Sequence, residues 1–309
     1  MIEGQESVTW EQWVALAKAC EESGFEALFR SDHYLSVEGK TERGSLDAWA
    51  TLSALAAVTS RLRLGTLVSP ATFRHPSVLA KSAVTADHVS GGRVELGLGA
   101  GWNELEHRTY GFPFADLKTR MDVMAEQLEI IARSFDEEPL TFEGKHYTVE
   151  NLDALPKPVQ YPRLPIIMGG SAGPRSLRLA ARWADEYNTV FATPEVVAER
   201  HDKFAEAWAD AGRDPAGLVF SIMTAVCVGA DEADFRARAE RLAELRGVEV
   251  DAMLEGAREN AVIGTVDQAV ARLREYEAAG ASRIMLQHHL HDDIEAIELI
   301  GREVIPQVS

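Results

Sequence analysis

Short apolar runs alternate with helical patterns from one end of the chain to the other. Seven runs have the length and branched aliphatic content of buried strands, and a stretch with helical spacing of apolar residues follows each. The runs are FEALFRSDH (25–33), LRLGTLVS (62–69), RVELGLGAG (93–101), PIIMGGS (165–171), NTVFAT (188–193), LVFSIMTAVCVGA (218–230) and SRIMLQHH (282–289). Strands that alternate with helices of this length predict a parallel sheet with right-handed crossovers.

Two places depart from this rhythm. Residues 136–164 contain four prolines and short alternating runs, which predict an inserted hairpin and loop. Ahead of the first helix, which Thr9 and Gln12 begin as a capping box, only MIEG remains for an eighth strand. The pattern therefore predicts a single (β/α)8 TIM barrel over residues 1–309, with an abbreviated first strand.

Composition narrows the functional class. The 309 residues are 46% hydrophobic and carry a formal net charge of −18, which disfavours binding to nucleic acid or to anionic membranes. No apolar run approaches the roughly 18 residues that a membrane span needs. The first residues lack the basic and apolar regions of a signal peptide, and the two cysteines, Cys20 and Cys227, fall within apolar patterns as reduced core thiols. We therefore expect a cytoplasmic protein.

In a TIM barrel the active site lies at the carboxyl ends of the strands. Polar, glycine and aromatic residues collect at these ends, while the strand starts are plain aliphatics. The passages are SDHY (31–34), TLVSPATF (66–73), GAGWNELEH (99–107), GGSAGPR (169–175) and QHHLH (287–291). These five passages are therefore the predicted site.

Two of the passages suggest proton chemistry and a flat ligand. His33 beside Asp32 could hold or donate a proton near neutral pH, although a capping aspartate with a structural histidine is an equal alternative. The GLGAG run lacks the third glycine of a dinucleotide fingerprint, so we interpret its glycines as room for a flat ring. Around that ring the sequence would place Trp102, Asn103, Glu106 and His107. Small residues that merely pack a barrel strand are the competing interpretation.

The passage GGSAGPR predicts an anion site. Gly169, Gly170 and Ser171 come directly before a helix that carries Arg175, and exposed N–H groups at a helix N-terminus favour a phosphate. The alternative is a solvated helix face with a glycine-lined turn. The histidines of QHHLH have no convincing metal spacing and are expected to form a pocket rim, so no metal site is predicted.

Taken together, the motifs resemble those of the bacterial luciferase-like family, in particular its branch of coenzyme F420-dependent oxidoreductases. The matching stretches are SDHY, LGTLVSPATFRHPSVLAK, SGGRVELGLGAGWNELEH, IIMGGSAGPRSLRLAARWADEYN and IGTVDQAVARLREYEAAGASRIML. They run in order along nearly the whole chain. The same barrel also serves reduced FMN, so the resemblance implies F420 as cofactor, with FMN as the alternative.

The resemblance also implies roles for individual residues. A non-prolyl cis peptide is expected at Leu67-Val68, in a bulge that backs the central ring, with Ser69 turning the chain away. Asp32 would bond the polar edge of the ring, and His33 would transfer a proton to or from the substrate. The remaining implied cofactor contacts are Asn103, Gly169, Gly170, Ser171 and Arg175, and the reserve proton carriers are Glu106 and His107.

Two departures from the family pattern concern the substrate. The sugar-phosphate dehydrogenases of this branch carry a carboxylate where this chain has Trp102, and their basic phosphate-binding cluster has no match here. We therefore expect a homodimeric enzyme that exchanges a hydride between F420 and a small organic substrate other than a sugar phosphate. An FMNH2-dependent monooxygenase and a non-catalytic deazaflavin-binding protein are the alternatives.

Overall fold

All seven predicted strands are present in the structure, a computed structural model that describes residues 1–40, 42–136 and 138–308. The strands are β1 (Ala27–Arg30), β2 (Arg63–Thr66), β3 (Ser69–Pro70), β4 (Val94–Gly99), β5 (Leu140–Glu143), β6 (Thr148–Leu152), β7 (Ile166–Gly169), β8 (Glu186–Val190), β9 (Val219–Gly229), β10 (Val262–Thr265) and β11 (Arg283–Gln287). Of these, β1, β2, β4, β7, β8, β9 and β11 are the predicted seven.

Helices follow the strands as the pattern predicts. They are α1 (Trp10–Glu22), α2 (Ala48–Val58), α3 (Pro76–Ser90), α4 (Glu104–Tyr110), α5 (Leu117–Ser134), α6 (Pro174–Trp183), α7 (Pro194–Asp210), α8 (Glu232–Arg246), α9 (Val250–Ala257), α10 (Val266–Ala278), α11 (Ile294–Leu299) and α12 (Ile305–Val308). Helix α1 begins with the predicted capping box of Thr9 and Gln12, and it buries Trp13 and Leu16 against the barrel. None of the helices in the described part of the chain is long and apolar enough to cross a membrane.

The sheet is closed by the first two residues of the chain. Parallel pairing runs in the order β1, β2, β4, β7, β8, β9, and β11 pairs with β9. Between β11 and β1, the amino group of Met1 donates to the Leu286 carbonyl (2.8 Å) and the Ile2 N–H donates to the Phe29 carbonyl (2.9 Å). Met1 and Ile2 thus occupy the eighth strand position, which confirms a TIM barrel with an abbreviated first strand.

Two additions decorate the barrel. The predicted insertion contains an antiparallel hairpin of β5 and β6, which packs on Ile130 of α5. Strand β10 was not predicted, because its four residues directly precede the helical pattern of α10. It pairs with the last four residues of β9, from Val226 to Gly229, which extend beyond the part of β9 that contacts β11.

A buried group of charges lies at the opposite end of the barrel from the predicted site. The guanidinium of Arg283 contacts the carboxylates of Glu95 (2.7 Å) and Glu186 (2.8 Å), and Arg63 also bonds Glu95. These residues start their strands, so they lie at the amino ends. Burial raises the pKa of Glu186 to about 7, although the charge of Arg283 opposes this shift.

Candidate functional site

Four of the five predicted passages form one continuous arc at the carboxyl ends of the strands. SDHY follows β1, TLVSPATF joins β2 to β3, GAGWNELEH links β4 to α4, and GGSAGPR links β7 to α6. Because β1, β2, β4 and β7 are successive neighbours in the barrel, their loops lie side by side. The fifth passage, QHHLH, follows β11 on the other side of the Met1–Ile2 closure.

The peptide bond between Leu67 and Val68 is cis, as predicted. The side chain of Val68 lies over the glycines of the adjoining strands. A Cβ atom added at Gly99 would stand 2.6 Å from Val68 Cγ2, and one at Gly169 would stand 3.5 Å from Val68 Cγ1. The space beside Gly97 is likewise taken by Val68 and by the Thr66 carbonyl. The interpretation of the GLGAG glycines as room for a ring is therefore wrong for Gly97 and Gly99, because the bulge itself fills that room.

Asp32 is buried in a network of side chains, with 1% of its surface exposed. Its carboxylate accepts hydrogen bonds from the Ser69 hydroxyl (2.6 Å) and from both terminal nitrogens of Arg74 (2.5 and 3.2 Å). Ser69 in turn accepts a bond from the indole N–H of Trp49 (3.1 Å). Asp32 and Ser69 thus join the loop after β1 to the bulge after β2, and their contact with a cofactor ring stays a prediction.

Arg74 is the site residue that the sequence reasoning missed. It also donates to the hydroxyl of Tyr34 (2.8 Å) and to the carboxylate of Asp47 (2.7 Å), which caps α2. The available signal was its place in TLVSPATFRHP, where it is the one cation in an otherwise uncharged, irregular passage. An arginine in such a passage needs carboxylate partners when it is buried.

His33 and Glu106 form a hydrogen-bonded pair at the mouth of the barrel. His33 Nδ1 lies 2.7 Å from Glu106 Oε2, and Glu106 Oε1 accepts the backbone N–H groups of Tyr34 (2.5 Å) and Leu35 (3.1 Å). Burial lowers the pKa of His33, but the bond and charge of Glu106 outweigh it, so the pKa lies above its ordinary 6.5. Burial raises the pKa of Glu106, and His33 with the two N–H groups reverses that shift.

The other nitrogen of this histidine is open. Within the described residues no hydrogen bond reaches Nε2 of His33, whereas its Nδ1 is held by Glu106. An imidazole with a raised pKa, one nitrogen fixed and the other free has the arrangement of a proton donor. The pairing of His33 with a glutamate 73 residues away could not be read from the sequence, although both residues were predicted site residues.

Asn103 and His107 hold the loops around this pair. The Asn103 side chain caps α4 by accepting the Glu106 N–H (3.3 Å), which places Glu106 in the first turn. His107 is buried, with Nδ1 bonded to the Asn103 carbonyl (2.6 Å) and Nε2 to the Thr72 hydroxyl (2.6 Å). Both nitrogens of His107 are engaged, which favours His33 over it as the proton carrier.

The loop between β7 and α6 presents unbonded N–H groups. The N–H of Gly170 donates to the Asn188 carbonyl (3.0 Å) and that of Ala172 to the Tyr187 hydroxyl (3.0 Å). No acceptor in the described part of the chain is bonded to the N–H groups of Ser171 and Gly173, and those in the first turn of α6 lack an intrahelical carbonyl. The exposed Ser171 therefore stands where an anion would bind.

Gly170 and Arg175 shape this loop in different ways. A Cβ at Gly170 would come within 2.7 Å of the Tyr187 hydroxyl, so no larger residue fits without movement. Arg175 points to α5, where it bonds the Asp122 carboxylate (2.5 Å) and the Lys118 carbonyl (3.4 Å). Its predicted contact with a cofactor stays a prediction, because in this structure the guanidinium is paired with Asp122.

The QHHLH passage borders a second cleft of about 460 Å³, which Glu6 and Arg43 also line. His289 and His291 face this cleft. The Arg246 guanidinium and the side-chain oxygen Oε1 of Gln287 both contact His289 Nε2 (2.8 and 2.9 Å). Burial lowers the pKa of His291 to about 4. Among the described residues, no three histidine, cysteine or carboxylate side chains are grouped to hold a metal ion.

Proteins of known sequence resemble this chain along much of its length. An uncharacterized protein of Mycobacterium tuberculosis is 37% identical over 172 residues, which cover 55% of this chain and 58% of that protein. This chain thus spans little more than half of that relative. An F420-dependent glucose-6-phosphate dehydrogenase of Microbacterium testaceum is 28% identical over 308 residues, covering 93% of this chain and 90% of that protein.

Solved structures share the fold. An F420-dependent secondary alcohol dehydrogenase superposes with a TM-score of 0.84 at 22% identity, covering 100% of this chain and 98% of the other. The oxygenating constituent of 3,6-diketocamphane monooxygenase from Pseudomonas putida, in complex with FMN, gives 0.75 at 20% identity, covering 97% and 93%. The family model for luciferase-like monooxygenases matches residues 2–283, and this protein therefore belongs to the luciferase-like monooxygenase family.

Proposed function

We propose that this protein is an F420-dependent oxidoreductase that exchanges a hydride between C5 of the deazaflavin and a small organic substrate. The observation that carries the proposal is the meeting of three features at one edge of the barrel. The side chain of Val68, in the cis bulge, lies over Gly169, where an added Cβ would touch it, at the start of the loop with unbonded N–H groups. The histidine–glutamate pair, with its open nitrogen, belongs to the same arc of loops.

The residues fit a cofactor that has a flat ring and a phosphate on its tail. The Leu67-Val68 bulge offers an apolar surface, because it packs with Ile167, Met223 and Met285 inside the barrel. The N–H groups of Ser171 and Gly173 supply donors for the phosphate. Asp32, held by Arg74, would face the polar edge of the ring. The similarity to an F420-dependent dehydrogenase along 93% of the chain favours F420.

When bound and reduced, the deazaflavin supplies a hydride, and a matching proton must reach the substrate. His33 would deliver that proton from Nε2, since Glu106 holds Nδ1 and favours the charged imidazole. For oxidation of the substrate the same nitrogen would accept the proton. Enclosure by the loops after β1, β4 and β7 would orient the substrate and exclude water.

An FMNH2-dependent monooxygenase is the second candidate. Its support is the family itself and the related fold of an FMN-bound monooxygenase. The phosphate donors at Ser171 and Gly173 would serve FMN as well as F420. The His33–Glu106 pair, with Nε2 of His33 open, favours an enzyme over the non-catalytic alternative. The protein would form a homodimer, and its substrate would be a small molecule.

A side-by-side titration tests the cofactor. The purified protein would be titrated with F420, with FMN and with riboflavin, which lacks the phosphate, and quenching of ligand fluorescence would be followed. We expect a micromolar or tighter dissociation constant for F420 and a weaker one for FMN. Tight binding of FMN alone would replace the proposal with the monooxygenase. Equal binding of FMN and riboflavin would show that the loop after β7 holds no phosphate.

A further inference from the structure

An exposed tryptophan stands directly beside His33. Trp102 follows β4, and its ring meets the His33 ring edge to face, with 5.6 Å between the ring centres and 76° between the planes. Its surface is 63% exposed, which is unusual for the largest apolar side chain. An exposed aromatic residue at the mouth of a barrel, beside a proton-carrying group, has the properties of a ligand contact.

The local sequence would normally bury this side chain. Trp102 precedes the helix cap Asn103, and an apolar residue at that position usually packs on the fourth residue of the helix, here His107. His107 instead packs on Phe73, Phe112 and Phe114, and among the described residues the one ring that Trp102 meets is His33. Trp102 thus does not make the usual contact with the helix, and its ring stays exposed at the mouth of the barrel, where a ligand could touch it.

The surroundings of Trp102 include exposed apolar side chains. Leu105, three residues along, is exposed, and so are Val190 and Phe191 where β8 reaches the same end of the barrel. Three of the arginines on these loops and helices are occupied. Arg74 pairs with Asp32 and Asp47, Arg175 pairs with Asp122, and Arg120 bonds the carbonyls of Gly101 and Ala115 while lying over Phe114. With a net charge of −18, the chain as a whole disfavours an anionic substrate.

We propose that Trp102 selects the substrate, which is an uncharged carbonyl compound, or the corresponding alcohol, that carries a flat apolar ring. The ring would lie on Trp102, and the oxygen would meet Nε2 of His33. This inference rests on the proposed function for the role of His33, but the stacking on Trp102 is testable on its own. The sequence only disfavoured a sugar phosphate as substrate, whereas this inference names the class of molecule that binds.

Two ketones that differ only in the ring provide the probe. Binding of acetophenone, acetone and glucose 6-phosphate to the F420-loaded protein would be measured by ligand-observed NMR. We expect acetophenone to bind at least about tenfold more tightly than acetone, since aromatic stacking adds to burial of the ring. We expect no binding of glucose 6-phosphate. Tighter binding of the sugar phosphate than of acetophenone would overturn the inference.

Variants separate stacking from other effects. Trp102→Ala should remove most of the acetophenone preference, and Trp102→Phe should keep most of it, with both variants compared at saturating F420. Tyr161→Ala is the matched control, because it removes a 96% exposed aromatic ring in the insertion and should change nothing. An unchanged preference in Trp102→Ala would overturn the inference. If the wild type binds no F420, the proposed function fails, and the same comparison on the cofactor-free protein still decides the role of Trp102.

Discussion

Removal of the Arg74 guanidinium tests whether the buried hydrogen bonds of Asp32 stabilise the folded protein. Arg74→Met keeps most of the side-chain volume but deletes the two bonds to Asp32 and those to Tyr34 and Asp47. Asp32 is 1% exposed, so it would be left as a buried charge with one side-chain hydrogen bond, from the Ser69 hydroxyl, and with the buried guanidinium of Arg30 as a remaining nearby charge. Breaking a buried pair in this way costs about 3–5 kcal/mol of unfolding free energy.

The assay is urea unfolding followed by tryptophan fluorescence. Arg175→Met is the matched control, because it removes an arginine whose pair with Asp122 is much more exposed and is expected to add little. In Asp32→Asn/Arg74→Met the loss should be smaller than the sum of the single losses, since neither charge is left alone. A loss in Arg74→Met no larger than in the control, or strict additivity in the double variant, would refute the reasoning.

The remaining predictions concern the proton, the phosphate and the barrel charges. His33→Ala should lower turnover by about 10²–10⁴-fold in steady-state kinetics while the F420 affinity barely changes; normal turnover would exclude His33 as the proton carrier. Glu106→Gln should move the alkaline fall of the reduction rate to lower pH, because Glu106 raises the pKa of His33; an unmoved pH profile would contradict that pairing. Gly170→Asp should weaken F420 binding at least about tenfold in a fluorescence titration, since it sets a carboxylate against the phosphate; unchanged affinity in the folded variant places the phosphate elsewhere. The fold raises the Glu186 pKa from 4.5 to about 7, so the folded state favours the protonated carboxyl group. This contribution to the free energy of unfolding is lost as pH rises through about 7. Urea unfolding of Glu186→Gln between about pH 5 and pH 8 should therefore show a smaller loss of stability than the wild type; an equal loss would assign that pH dependence to other groups.

The barrel and its order of strands could be predicted because they depend on local patterns. Alternation of short apolar runs with helices needs no knowledge of distant contacts, and the capping box of Thr9 and Gln12 is complete within four residues. The cis bond at Leu67-Val68 was predicted through the family resemblance, which the structure bears out at the same two residues. Strand β10 was missed, since a run of four residues beside a helix start carries too little periodicity.

Contacts within the site could not be predicted, because they join residues far apart in the chain. Nothing near Asp32 in the sequence shows that Arg74 neutralises it, nor that Glu106 holds His33 rather than facing the substrate. The filling of the Gly97 and Gly99 space by Val68 depends on the path of the bulge, which a pattern of residue types does not specify. Four of the predicted passages therefore lie on one arc of loops, but the roles of their residues stay predictions, because those roles depend on three-dimensional partners.

A crystal structure of the protein with bound F420 tests the central claim most directly. The account predicts the phosphate within hydrogen-bond distance of the Ser171 and Gly173 N–H groups, and the central ring against the Leu67-Val68 bulge. It also predicts that C5 faces the side of the mouth where Nε2 of His33 opens. Density for F420 with its phosphate away from the β7–α6 loop, or with C5 turned from His33, would contradict the account.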